Sequence, residues 1–171
     1  MHHHGYLWVG PKERFDDEAL RRPPHPEPPP AGSKPELIQR YREVAAAFVT
    51  ADLPPLETAY WLVKPRSLVR DTWDQTREAA TWLRAQLAEY APRFASSWGR
   101  GTTELTTLVD SALDRLNSGG DVSVGFYLER PAYLSVAVVT CSPNRSKPDL
   151  PCPAPLNEQL PLGRHSSRSK V

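Results

Sequence analysis

With 171 residues, a formal net charge of +1 and two cysteines, the chain is long enough for one core and carries no overall field that would draw nucleic acid or an anionic membrane surface. Its apolar runs stop short of the roughly 20 residues that span a bilayer and no apolar leader opens it, so a cytoplasmic protein with Cys141 and Cys152 as free thiols is expected. Sixteen arginines against five lysines are the usage of a GC-rich genome and carry no chemistry.

The chain opens MHHHGYLWVG. Three histidines are half the usual length of an affinity tag. A free amine followed by histidines binds Cu(II), and the added imidazoles suit nickel, copper or zinc, so His2, His3 and His4 form a metal candidate of the kind any flexible tail offers. Residues 1–10 read as an apolar N-terminal segment, either docked as a short third strand from Gly5 to Gly10 or hanging free. Residues 11–33 follow as a proline-rich linker. Eight of the nineteen prolines lie between Pro11 and Pro35, and RRPPHPEPPPAGS lacks the amides for a helix or a central strand, which leaves a stiff polyproline spacer.

Residues 34–141 are expected to form a single α+β domain. In SKPELIQRYREVAAAFVTA, Ser33 and Glu36 have the spacing of a capping box, and Leu37, Tyr41, Val44 and Phe48 recur on one helical face. PPLETAYWLV fits a helix starting at the two prolines and also a buried strand, with the helix preferred. DQTREAATWLRAQLAEYA puts Ala80, Leu83, Leu87 and Tyr90 at helical spacing, with Pro92 as the stop. The next helix carries the stripe Leu105, Leu108, Val109, Ala112, Leu113 and Leu116, with a threonine as N-cap and Gly119 as C-cap. The period then changes to two. Val122, Val124, Phe126 and Leu128 alternate with small or polar residues, and after the turn at ERPA the run YLSVAVVTC is apolar or small on both faces. The expected architecture is therefore three or four helices followed by a β-hairpin packed on them. A strand with two apolar faces wants a neighbour beyond the hairpin, and YLWV near the N-terminus is the preferred candidate for a third strand. Residues 142–171, with five positive and two negative side chains and six prolines, read as a disordered basic tail.

Chemistry-bearing patterns are sparse. WGRGTTEL holds the parts of an anion cradle: Gly99 and Gly101 allow close approach, Arg100 supplies a planar fork, and Thr102 and Thr103 open a helix with free amides. No strand precedes it, the Walker lysine is missing and Glu104 competes, so a glycine loop with a threonine cap explains the same residues. Asp110 and Asp114 lie on a solvated helix face, and Asp71 and Asp74 read as capping residues around Trp73. No histidine falls within residues 34–141, which argues against a hydrolase. No CxxC, HExxH or Cys-His spacing of a structural zinc site occurs, and a site of Cys141, Cys152 and a histidine is left as a further alternative. No catalytic residue and no cofactor are expected. Five tryptophans and six tyrosines supply core and interface anchors. The expected function is a non-enzymatic protein-interaction or regulatory domain whose partner is another protein. The alternatives are a protein for a small phosphorylated ligand at Gly99–Thr103, or weak nucleic-acid binding through the C-terminal tail.

Overall fold

A strand that is apolar on both faces cannot serve as the edge of a sheet, and the chain supplies it with two neighbours. The computed structural model describes residues 1–97 and 100–154. His2–Pro11 forms β1, Val69–Trp73 β2, Val122–Tyr127 β3 and Ala132–Cys141 β4. Among the described residues these make one antiparallel sheet in the order β2-β1-β4-β3. The expected hairpin behind a set of helices is thus corrected. The class is α+β, but β1 pairs with β4 over all ten residues, from His2 opposite Cys141 to Pro11 opposite Ala132. Two interior strands therefore bury each other's polar backbone. β2 escaped sequence analysis because VRDTW is short and mostly polar, as an outer strand with one neighbour can be.

The helices are Lys12–Phe15 (α1), Glu18–Arg21 (α2), Pro35–Thr50 (α3), Thr76–Tyr90 (α4) and Thr102–Asn117 (α5). α4 and α5 cover one face of the sheet. Leu83, Leu87, Val109, Ala112 and Leu116 meet Leu134, Val136 and Val138 there in one buried cluster. Each of these leucines and valines contributes about 1.5–3 kcal/mol when fully buried, so this face dominates the stability of the fold. Gly119, with φ of 77°, takes the left-handed conformation that ends α5.

The opposite face is covered by less regular chain. TAYWLV, read as helix or strand, is instead a 3-10 turn at Thr58–Val63 that buries Trp61 and Leu62 against Tyr6, Ala137, Val139 and Cys141. The consecutive apolar residues allow this: a 3-10 turn drives Trp61 and Leu62 inward within a space too short for a full helix. α3 starts at Pro35 with Lys34 at the N-cap position and no side-chain cap, so the Ser33–Glu36 capping box does not form. Proline at the first helical position sets the start one residue later than the box requires. Only Phe48 of α3 is buried, and Leu37, Val44 and Val49 are exposed.

Within residues 11–33, α1 and α2 precede the proline run, and Arg21 ties them down by donating to Pro54 O and Phe15 O, each at 2.7 Å. Of the residues read as a tail, 142–154 return to the sheet, with Asn144 1% exposed. Residues 155–171 lie outside the described residues.

Candidate metal centre

Side chains alternate across a strand, so His2, His4 and Tyr6 share one face of β1 and His3 faces the other way. The register sets His2 opposite Cys141 and His4 opposite Val139, with Cys141 closing β4 on the same face. A fourth donor arrives from the segment after β4. That segment is pinned by Asn144, whose Nδ2 donates to Asp121 Oδ1 at 2.9 Å, Asp121 Oδ2 at 3.0 Å and Thr140 O at 2.7 Å. Its Oδ1 accepts from the amides of Ser146 and Lys147. This turn aims the chain back towards β1, where Leu150 and Cys152 pack against the cluster of Tyr6, Trp61 and Cys141.

One ligand-capable atom from each of His2, His4, Cys141 and Cys152 lies within 4.8 Å of all the others. Cys152 Sγ is 3.2 Å from His2 Nε2 and 3.5 Å from His4 Nε2. Around a tetrahedral zinc ion with bonds of about 2.0 Å to nitrogen and 2.3 Å to sulfur, nitrogen and sulfur ligands sit about 3.5 Å apart. The four donors therefore need only a small contraction to close on a cation. The second nitrogen of His4, Nδ1, is 2.9 Å from Thr72 Oγ1 on β2. That contact fixes the ring so that Nε2 faces the thiols, the outer-shell arrangement typical of a ligating histidine.

The electrostatics suit a divalent ion. Burial holds His2, His3 and His4 below the ordinary histidine value, His4 at about 4, so their imidazoles are neutral at neutral pH and keep a lone pair free. Burial pushes the Cys141 thiol up, so its thiolate needs the cation's charge beside it. Two thiolates and two neutral imidazoles around a dication sum to zero, which a buried site tolerates; a monovalent ion would leave an uncompensated negative charge. The Tyr6 hydroxyl is buried without a hydrogen-bond partner among the described residues, in the same cluster as the thiols. Thiolates formed on metal binding would bring strong acceptors into that cluster.

The other candidates fall elsewhere. His3, 1% exposed, lies between two hydroxyls, its Nε2 3.3 Å from Thr76 Oγ1 and its Nδ1 3.3 Å from Thr140 Oγ1. It is a hydrogen-bonded core residue outside the donor set. Gly99 lies outside the described residues. Arg100 donates through Nε at 2.8 Å and Nη2 to Phe94 O, so its fork is spent on the backbone. The Glu104 carboxylate occupies the space beside Gly101 that an anion would need. Thr102 and Thr103 start α5 and offer their carbonyls to Thr106 and Thr107. Among the described residues of this loop, the Arg100 fork and the space beside Gly101 are already occupied.

Sequence analysis grouped His2, His3 and His4 as a tail candidate and kept a site of Cys141, Cys152 and a histidine only as an alternative, without saying which histidine. The signal available was His-x-His at strand period next to an apolar run, together with a cysteine ending a second strand. No family model matches the chain, and neither a curated protein nor a solved structure matches it. No helix among the described residues is long and apolar enough to cross a membrane.

Proposed function

We propose that the protein binds one divalent cation with a tetrahedral preference, zinc above others, through His2, His4, Cys141 and Cys152, and serves as a metal-dependent regulatory or interaction domain. The observation that carries this reading is the convergence of two imidazoles and two thiols within 4.8 Å. A catalytic thiol-imidazole pair uses one of each; here two imidazoles meet one thiol and a second thiol stands beside it. Four protein ligands close a zinc site, whereas catalytic zinc keeps a position for water or substrate, so the ligand count favours structure or regulation over turnover. The exposed apolar residues Leu37, Val44 and Val49 along α3 support an interaction role.

Zinc titration of the metal-free chain against a chromogenic chelator tests the reading. Wild type is expected to bind one zinc, and Cys141→Ser, Cys152→Ser and His4→Ala to weaken binding at least tenfold, while His3→Ala binds as wild type does. Equal binding by wild type and both cysteine variants would assign the metal to the flexible-tail mode and overturn the site.

A further inference from the structure

The two thiols of the site are placed differently. Cys141 ends β4, is 1% exposed and is held in register opposite His2. Cys152 is half-buried, lies on the segment beyond the sheet, and is the sulfur that both imidazoles touch. Their sulfurs are within 4.8 Å of each other, and both are free. A disulfide needs the sulfurs at about 2.05 Å. The backbone of Cys141 is held by the pairing of β4 with β1, so the larger approach falls to Cys152, which belongs to no strand or helix.

We propose that the site is a peroxide-responsive clasp, in which Cys152 is oxidised first, Cys141 resolves it to a disulfide, and the bound cation is discharged. This rests on the metal-binding reading above and adds its regulation. The Cys152 thiolate attacks one oxygen of hydrogen peroxide. The O–O bond breaks, hydroxide leaves and takes a proton to become water, and Cys152 becomes a sulfenic acid. The Cys141 sulfur then attacks the Cys152 sulfur, the S–O bond breaks, and a second hydroxide leaves and is protonated to water. In sum, two thiolates and one peroxide, with two protons, give one disulfide and two waters. The sulfur pair loses two electrons and the peroxide gains them. The cation loses both anionic ligands, and the two imidazoles left to it form half of a tetrahedral set.

The order of attack follows from access. Peroxide reaches a half-buried sulfur more readily than one enclosed at the end of an interior strand, and reactivity tracks exposure of the thiolate. In the complete site each sulfur has a distinct task, with Cys152 sensing and Cys141 resolving.

The experiment treats the full-length, zinc-loaded chain with hydrogen peroxide in the presence of a chromogenic zinc chelator, and follows intact mass and a non-reducing peptide map. One zinc released per chain, with a Cys141–Cys152 disulfide that a reductant reverses, is the expected result. In metal-free variants, Cys141→Ser should accumulate a dimedone-trapped sulfenic acid at Cys152, at least about tenfold faster than Cys152→Ser does at Cys141. Zinc retained under peroxide, oxidation running on to sulfinic acid without a disulfide, or faster labelling at Cys141 overturns the clasp while leaving the metal reading intact. A chain that holds no zinc before peroxide is added overturns the metal reading, and the clasp with it.

Discussion

His3 and its neighbours His2 and His4 are the same residue type on one strand, all buried, yet they have opposite fates. On the face turned to α4, the imidazole of His3 sits between the hydroxyls of Thr76 and Thr140. On the face turned to the 3-10 turn and the segment after β4, His2 and His4 meet thiols. The first face has α4 and α5 to bury it and needs nothing more. The second is covered by irregular chain and a smaller apolar cluster, and it is there that four donors collect. A small core backed by irregular chain is where a cation adds most, because it fixes loops that hydrophobic burial alone holds loosely.

The largest effect should come from the helix-covered face. Val136→Asp places an unpaired carboxylate where the native side chain is 0% exposed. It should cost more than about 4 kcal/mol and unfold the domain with or without zinc, as read by circular dichroism. A Val136→Asp chain rescued by zinc would show that the metal-bearing face carries the fold instead.

His4→Ala should fold and lose the zinc response. With free zinc near a thousand times the dissociation constant, wild type should gain about 4 kcal/mol, seen as a raised melting temperature, and the variant should gain little. His3→Ala should do the reverse, keeping the full zinc increment and losing roughly 2 kcal/mol of metal-free stability through a cavity and the lost contacts to Thr76 and Thr140. If both variants lost the zinc response alike, the two faces would not be distinct.

The smallest effect concerns Lys64, a fourth buried base, which follows the turn covering the metal face. Its Nζ donates to Phe48 O and lies 4.1 Å from the Phe48 ring centroid. Burial lowers it from 10.5 to about 8, against the opposing pull of Asp52. Between those values the unfolded chain binds the proton and the folded chain does not. Lys64 therefore makes stability rise as pH climbs from about 8 to 10.5. In metal-free protein, the stability difference between Lys64→Met and wild type should shrink over that interval, measured by urea denaturation at several pH values. A difference that stays flat would mean that Lys64 keeps its proton when buried.

Much of this was legible in residue periodicity. α4, α5, β3 and β4 follow from the spacing of Leu83 and Leu87, of Val109 and Leu116, and from the alternation after Asp121, because these elements bury one regular face each. β4 also announced a missing neighbour. The histidines were harder to read. Their type suggests a solvated tail, and only pairing with β4, across 134 to 138 intervening residues from His4–Val139 to His2–Cys141, makes them interior. Cys152 was beyond reach for a similar reason: the Asn144 turn that returns it depends on Asp121, 23 residues upstream. Local pattern carries no information about such contacts.

The central claim, that His2, His4, Cys141 and Cys152 form one tetrahedral centre, is tested most directly by zinc K-edge X-ray absorption on the zinc-loaded chain. Two sulfur scatterers at about 2.3 Å and two nitrogen scatterers at about 2.0 Å are the predicted first shell; a shell of nitrogen and oxygen alone would contradict it.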